Sequence, residues 1–209
     1  MQRNEFRDND DFLNVAEIYY DTSDTKQKAP DQCTCYVRIS GELISSLSLE
    51  EQYRLCVELS VKFDFVCTRI DIAIDDYRRM LKYKQILKAC EENNISQFKK
   101  YSVVGGASCG QQIGRPTIYL GSKESRKRVK FYDAMPPHRM DADRLELQLR
   151  KGGASAAFEA FIRTNASAKE VATLMFTYFG FVSRINSNDS KEIHLNRCSM
   201  LRWWKNFTE

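Results

Sequence analysis

The sequence has no hydrophobic run close to the roughly 20 residues that a membrane-spanning helix needs. Its first residues, Met1 to Asp11, are polar and acidic, which is not the pattern of a secretory signal. Histidine occurs only twice, at His138 and His194, and this scarcity excludes a metal site built from a cluster of histidines. We find no internal repeat and no low-complexity segment. These absences favour a soluble globular protein without a membrane segment, and we expect it in the cytoplasm.

Cysteine is present but follows no recognisable framework. The count of seven is odd, and the spacing matches neither a disulfide scaffold nor a zinc site. In the one close pair, Cys33 and Cys35 are separated by a single residue, which is too tight for zinc. We therefore predict reduced, structural thiols. The positions are Cys33, Cys35, Cys56, Cys67, Cys90, Cys109 and Cys198.

Positive charge is concentrated in one part of the chain, whose formal net charge is +4. Five basic residues fall within eight positions: Lys123, Arg126, Lys127, Arg128 and Lys130. Such a cluster is typical of a solvated surface or of a surface that contacts a polyanion such as nucleic acid. Charge alone leaves both interpretations open.

The length of 209 residues suits one large domain, with a short polar segment before it. Residues 21–32 are polar and contain a proline, so we expect residues 1–32 to form an N-terminal segment and loop. Residues 33–209 are expected to form a single domain. It would begin with a half-buried strand at 33–40 and a helix that starts at a Ser48–Glu51 capping box.

Further helices are predicted where apolar residues recur at helical spacing. The pattern indicates helices at about 79–92 and 155–163, and a third that begins at Ser167 and runs to Phe179. The last segment, 199–207, is rich in aromatic residues, and we expect it to dock on the core. Stacking of these aromatics on nucleic-acid bases is the alternative.

Three other segments read as strands, because apolar and polar residues alternate in each of them. They are Thr68 to Asp76, a hairpin from Pro116 to Asp133 that turns at Gly121-Ser122, and Arg144 to Arg150. Each offers an aliphatic face that can pack against helices, and a polar face. The fold class predicted is α+β, with a curved, mainly antiparallel sheet that carries helices on its apolar face.

The polar face of these strands holds the candidate chemistry, namely the carboxylates of Asp71, Asp75 and Glu146 and the phenol of Tyr132. Basic residues share this face: Arg128, Lys130, Arg144 and Arg150. Carboxylate oxygens are hard ligands that suit Mg²⁺ or Mn²⁺. A phenol is a poor nucleophile until a cation or a base activates it, so this combination suits attack on a phosphodiester. A solvent-facing sheet with mixed polar residues is the simpler alternative for each strand alone.

The same segments resemble the Rep_trans family, the rolling-circle initiators of staphylococcal-type plasmids. The family's R-[IL]-D-[LI]-A-x-D strand is matched by Arg69 to Asp75, and its Y-x-G-x-x-x-S hairpin by Tyr119 to Ser125. A basic-aromatic-tyrosine motif follows at 130–132, and an R-[VL]-E-[IL]-x-L strand at 144–149. The order and the rough spacing agree over about residues 34–207.

Carried over position by position, this resemblance implies that Tyr132 is the nucleophile, with Tyr119 as the alternative. Asp71 and Glu146 would be metal ligands, and Asp75 a third ligand or a supporting group. Lys130 and Arg128 would assist catalysis. The residues expected to contact DNA are Lys123, Arg126, Lys127, Arg144 and Arg150.

The implied activity is a metal-dependent nick in one strand at a replication origin, which leaves a 5′-phosphotyrosine and a 3′-OH primer and is later resealed. Mg²⁺ or Mn²⁺ would be the cofactor, and the origin would be bound as single-stranded or cruciform DNA. The resemblance also implies a homodimer in the bacterial cytoplasm and a host helicase as partner. The family usually has a lysine two positions after the tyrosine, where this chain has Ala134.

Two other functions stay open at this point. The same chemistry would serve a relaxase that nicks the transfer origin of a mobile element. A DNA-binding or regulatory module without catalysis would use the same residues only structurally, and it would be indifferent to a Tyr132→Phe substitution.

Overall fold

The computed structural model describes residues 2–5, 16–20, 35–63, 65–105, 115–135, 140–183 and 198–209. The chain divides into two compact units, Met1–Glu58 and Leu59–Glu209. None of the helices in the described parts of the chain is long and apolar enough to cross a membrane. His138 and His194, and also Cys33 and Cys109, lie outside the described residues.

The first unit contains a three-stranded antiparallel sheet in the order β1-β2-β3. Its elements are β1 (Gln2–Glu5), β2 (Ala16–Tyr20), β3 (Cys35–Ile39), α1 (Gly41–Ser46) and the start of α2 (Leu49–Phe63). The predicted strand at 33–40 forms as β3, but its partner is β2, so it belongs to this unit. The boundary between the two units falls within α2, and the single domain expected from residue 33 stays a prediction.

The predicted capping box at the start of α2 is confirmed. The Ser48 backbone N–H donates to Glu51 Oε2 at 2.7 Å, and the Glu51 N–H donates to Ser48 Oγ at 3.3 Å. Two N–H groups that the helix cannot satisfy are paired in this way.

The second unit is built on a five-stranded antiparallel sheet in the order β4-β8-β7-β6-β5. Its elements up to the last of these strands are β4 (Arg69–Asp76), α3 (Tyr83–Glu91), β5 (Tyr101–Val104), β6 (Thr117–Leu120), β7 (Lys127–Asp133) and β8 (Asp143–Arg150). The three segments predicted as strands are therefore adjacent in one sheet, with β8 between β4 and β7. The α+β class and the mainly antiparallel sheet are confirmed.

One face of this sheet forms the core, as the alternation of residues predicts. The side chains buried on it include Ile118, Val129, Phe131, Leu145, Leu147 and Leu149. Helices α4 (Gly152–Arg163) and α5 (Ala168–Thr177) pack near β4 and β8, and Tyr83 of α3 stacks on Phe131 at 6.5 Å. The helices thus lie on the apolar face and leave the polar face of the strands for chemistry.

The C-terminal aromatics dock on the core, as predicted. Strands β9 (Val182–Ser183) and β10 (Ser199–Met200) pair and lead into α6 (Arg202–Thr208). Trp204 is 1% exposed, and its ring centroid lies 5.3 Å from Phe176, 5.4 Å from Phe179 and 5.0 Å from Phe181. Its burial leaves no face of this indole for stacking on a base.

Helix α3 begins later than the pattern predicted. The Asp76 carboxylate accepts a hydrogen bond from the Leu81 N–H at 2.7 Å, and Arg79 has a positive φ of 48°. The hydrogen bond stabilises a turn after β4, and the left-handed backbone of Arg79 cannot be part of an α-helix, so the helix starts at Tyr83 and not at Arg79. The described cysteines are all free thiols, and burial raises the pKa of Cys67 and of Cys90, the latter to about 12.

Candidate active site

Backbone pairing places several of the predicted site residues in one row across the sheet. Ala73 of β4 lies opposite Glu146 of β8, Glu146 lies opposite Lys130 of β7, and Lys130 lies opposite Tyr119 of β6. Lys130 Nζ forms an ion pair with Glu146 Oε1. Because residues two apart on a strand share a face, this row belongs to the polar side of the sheet.

The next row contains Asp75, Arg144 and Tyr132, in that order. The Arg144 guanidinium binds Asp75 in a bidentate pair, with Nε at 2.6 Å from Oδ1 and Nη2 at 2.9 Å from Oδ2. The hydrogen bond with Asp75 raises the pKa of Arg144. Both groups are largely buried, so this pair holds a fixed positive group beside the tyrosine.

Tyr132 and Glu146 make the contact that joins the two rows. The Tyr132 hydroxyl donates to Glu146 Oε2 at 3.1 Å, and the Glu146 side chain is only 12% exposed. Burial raises the pKa of Tyr132 well above its usual value, and the negative charge of Glu146 acts in the same direction, while Arg144 opposes it. The phenol is therefore protonated at rest, with a carboxylate in place to accept its proton.

A third row lies on the side of the β6–β7 turn. Asp71 is opposite Gln148, and Gln148 is opposite Arg128. Asp71 accepts two hydrogen bonds from Arg69, at 3.1 and 2.6 Å, and a weaker one from Gln148 at 3.3 Å. Arg150 donates to Gln148 Oε1 at 3.2 Å, so the amide connects the charged groups of this row.

The predicted metal ligands share this face, but not all three can converge on one ion. Asp71 and Asp75 lie four residues apart on β4, a separation of roughly 13 Å between Cα atoms, which is too wide for two short side chains to bind one Mg²⁺. Glu146 lies diagonally between them, about 7–8 Å from each, opposite the small side chain of Ala73.

Glu146 with one aspartate therefore fits a divalent cation, because Mg²⁺ is commonly held by one or two carboxylates plus substrate phosphate oxygens. In the described part of the chain, no three acidic, cysteine or histidine side chains are already gathered as a metal cluster. Each candidate ligand is instead paired with a cation: Asp71 with Arg69, Asp75 with Arg144, and Glu146 with Lys130.

The basic residues expected to contact DNA separate into different places. Arg144 and Arg150 lie on the polar face, where Arg128 also lies, while Lys123 and Arg126 are exposed around the β6–β7 turn. Lys127 was expected with them, but it lies on the opposite face of β7.

The contacts of Lys127 lie on that opposite face, and its role in DNA binding stays a prediction. Its ammonium donates to Gln97 Oε1 at 2.6 Å and to the Tyr178 carbonyl at 3.2 Å, and burial lowers its pKa. The reason is strand alternation, because Lys127 has the same parity as the buried Val129.

Sequence reasoning missed a network of ion pairs at the far end of the same strands, beside Tyr132. Asp143 is 1% exposed and accepts hydrogen bonds from Arg79 at 2.9 Å and from Arg115 at 3.3 Å. Asp133, which follows Tyr132, lies 3.6 Å from Arg79 and 3.4 Å from Arg115. A signal was available, since Asp133 and Asp143 occupy positions where the alternation requires apolar residues.

Comparisons with known proteins match the part of the chain that holds these strands. A family model described as replication initiation factor matches residues 65–209, a range that contains every candidate site residue. A Bacillus subtilis protein named as the DNA relaxase NicK is 30% identical over 127 residues, which is 55% of this chain and 36% of that protein. The chain thus corresponds to about a third of that relative's length.

A solved structure of a rolling circle replication initiator protein from Geobacillus stearothermophilus is similar over most of the chain. The TM-score is 0.71 and the sequence identity 25%, with 94% of this chain and 73% of that chain covered.

Proposed function

Because the chain belongs to the replication initiation factor family, we propose that it nicks one DNA strand at an origin through attack by Tyr132. The observation that carries this proposal is the 3.1 Å hydrogen bond from the Tyr132 hydroxyl to Glu146, flanked by Lys130 and Arg144 on one polar face. A nucleophile, a proton acceptor and two fixed cations are thereby brought together.

The reaction follows from these positions. The Tyr132 oxygen forms a bond to phosphorus as its proton passes to Glu146, and the bond from phosphorus to the 3′ oxygen of the preceding nucleotide breaks. Glu146 passes this proton on to the released 3′ oxygen, which becomes the 3′-OH primer, so that Glu146 returns to a carboxylate while the 5′ phosphate remains on the tyrosine. Because the phosphodiester bond energy is kept in the phosphotyrosine, attack by a 3′-OH reverses the step and rejoins the strand without ATP.

Lys130 and Arg144 have distinct parts in this scheme. Arg144 is held by Asp75 and offers positive charge where negative charge develops on the phosphate oxygens. Lys130 lies on the other side of Glu146 and neutralises this carboxylate, so that a phosphate can approach it. These two cations take the place of the lysine that the family usually carries at the position of Ala134.

We further propose that Asp71 and Glu146 would hold Mg²⁺ or Mn²⁺ when DNA is bound. Both aspartates are bound on both oxygens by an arginine. Asp71 is the better partner for Glu146 because its pair with Arg69 is more exposed than the Asp75–Arg144 pair, so a cation can displace Arg69 more readily. A divalent cation there would withdraw charge from the scissile phosphate and stabilise the transition state. Asp75 would then act through Arg144.

The relative named as a DNA relaxase supports the same chemistry at a transfer origin as a second candidate. We extend the proposal, from family resemblance alone, to single-stranded or cruciform origin DNA, a homodimer and a host helicase as partners.

The test is a search for a covalent protein–DNA adduct. Supercoiled DNA that carries the origin region of the source replicon would be incubated with the protein and Mn²⁺, Mg²⁺ or EDTA, denatured, and examined for protein on a 5′ end. We expect a metal-dependent adduct that the Tyr132→Phe variant does not form. The matched control is Tyr101→Phe, because Tyr101 lies on β5 opposite Leu120, on the other face of the same sheet.

Each outcome discriminates between the candidates. An adduct that survives in Tyr132→Phe but is lost in Tyr119→Phe would move the nucleophile to Tyr119. Binding of the origin without an adduct under any metal would support the non-catalytic module instead. An adduct on transfer-origin DNA, with none on replication-origin DNA, would identify a relaxase.

A further inference from the structure

One cation of the polar face stands apart from the others. The guanidinium carbon of Arg128 lies 4.0 Å from the centroid of the Tyr119 ring, a distance typical of a stacked cation–π contact. Among the described residues, no hydrogen bond or ion pair joins this guanidinium to a partner, and its Nε is buried without an acceptor. A buried N–H group without an acceptor is unfavourable, so the folded protein holds a donor group in need of an acceptor.

The neighbouring cations differ because their charge is already neutralised. Lys130 is paired with Glu146, and Arg144 with Asp75. Arg128 lies opposite Gln148 of the neighbouring strand β8, and this side chain is uncharged. Its guanidinium is held flat by the ring and not by a carboxylate, so an incoming anion need not displace an acidic side chain.

The net charge of the polar face differs between its two ends, because the cations near Tyr132 are paired with carboxylates and Arg128, within the described residues, is not. Around Tyr132, two carboxylates, Asp75 and Glu146, balance two cations, Arg144 and Lys130. Toward the β6–β7 turn, the same face carries three arginines against one aspartate: Arg69, Arg128 and Arg150 with Asp71. The excess of two positive charges lies on the turn side of the candidate nucleophile.

We propose that the Tyr119–Arg128 stack is a binding site for a phosphate of the DNA strand next to the scissile one, on the side of the β6–β7 turn. The inference rests on the proposed function, and it defines the path of the bound strand over the sheet, from Tyr132 toward the β6–β7 turn. Arg128 lies four residues from Tyr132 on the same face of β7, roughly 13 Å between Cα atoms, so the stack serves a neighbouring phosphate and not the reacting one. Tyr119 acts here as the support of the arginine.

The planar guanidinium suits this task. It offers two N–H donors on one edge that match two phosphate oxygens, which an ammonium group cannot do. The ring of Tyr119 fixes the plane before the phosphate arrives, which reduces the side-chain entropy lost on binding. The Tyr119 hydroxyl has no part in the contact, so only its ring is needed.

The experiment measures binding of a fluorescein-labelled thymidine oligonucleotide in EDTA over a series of salt concentrations. Each neutralised phosphate contributes about 0.7 to the slope of log K against log salt for a single strand, which corresponds to about fivefold in affinity at about 0.1 M salt. We expect Arg128→Gln to lower the slope by about 0.7. Arg128→Lys should keep the slope and bind more weakly, Tyr119→Leu should do the same, and Tyr119→Phe should match the unmodified protein.

The matched control is Lys88→Gln, which removes one positive charge from an exposed ion pair with Glu92 on α3, a helix of the apolar face. Its slope should equal that of the unmodified protein. The proposal is overturned if Arg128→Gln and Lys88→Gln give the same slope, or if Tyr119→Phe binds as weakly as Tyr119→Leu.

Failure of the nicking proposal would be seen in the assay for the covalent adduct and not in this binding experiment. Cleavage does not occur in EDTA if the reaction needs a metal, and the readout here is binding alone. Loss of the covalent adduct with an intact Arg128 effect would therefore reject the chemistry of Tyr132 and leave the phosphate site in place.

Discussion

The ion-pair network beside Tyr132 should contribute more to stability than any exposed pair in the protein, and one substitution tests this. In Asp143→Asn the shape of the side chain is kept, while the negative charge that two arginines share is removed. Asp143 is 1% exposed, and it accepts hydrogen bonds from both Arg79 and Arg115.

The magnitude follows from burial. Removing one partner of a buried ion pair costs about 3–5 kcal/mol, because the remaining charge is left without compensation. Arg79 and Arg115 are each about one-third exposed, so water can partly solvate them and the lower figure applies. We expect Asp143→Asn to lower the free energy of unfolding by about 3 kcal/mol, a fall of about 6–12 °C in Tm for a chain of this size.

Asp141→Asn is the matched control, since Asp141 binds the same Arg79 at a shorter distance, 2.6 Å, but is 77% exposed. An exposed pair contributes at most about 1 kcal/mol, so its Tm should fall by less than about 4 °C. Both variants would be measured by thermal unfolding followed by circular dichroism at one salt concentration. Equal shifts for the two variants would refute the argument from burial.

Two further predictions concern Lys127 and Ala134, which lie beside the candidate site residues of β7. Lys127→Gln should lower Tm, because the ammonium bridges Gln97 and the Tyr178 carbonyl. The same substitution should leave the salt dependence of oligonucleotide binding unchanged. A smaller slope of log K against log salt would show that Lys127 contacts DNA. Ala134→Lys, which restores the family residue, should destabilise the protein by at least about 1–3 kcal/mol in urea unfolding, because Ala134 is 0% exposed and the site is already packed. A gain in nicking activity without loss of stability would contradict this expectation.

The sequence pattern predicted those features that are determined within a single strand or a single helical turn. Alternation in 68–76 and 144–150 was enough to assign Asp71, Asp75 and Glu146 to one face, because the side-chain period of a strand is two. The Ser48–Glu51 box predicted a helix start for the same reason, since its hydrogen bonds span only three residues.

Pairing between distant strands was out of reach of that reasoning. The edge strand β5 was not predicted, because its four exposed residues, Tyr101–Val104, carry no alternation of apolar and polar side chains. The partners of Arg144 and Arg128 likewise depend on register: Asp75 is 69 residues from Arg144, and the Tyr119 ring stacks on an arginine across the hairpin. The alternation of apolar and polar residues could assign these residues to a face, but it could not show which charged side chains pair with one another.

Register also explains how the catalytic arrangement is maintained. A slip of one residue in β8 would turn Leu145, Leu147 and Leu149 to the polar side, at a cost on the order of 5–9 kcal/mol for three buried leucines. A slip of two residues keeps the leucines inside, so hydrophobic burial does not oppose it, although it would move Glu146 away from Lys130.

The ion-pair network opposes that second slip. Asp143 is paired in register with Asp76 and with Asp133, and the arginines that bind it come from outside β8. A shift of two residues would separate Asp143 from both arginines and leave charges unpaired at the end of the sheet. Burial of the leucines therefore fixes the face on which Glu146 lies, and the ion pairs of Asp143 fix the position of Glu146 along β8. Together they hold the Glu146 carboxylate within hydrogen-bonding distance of Tyr132.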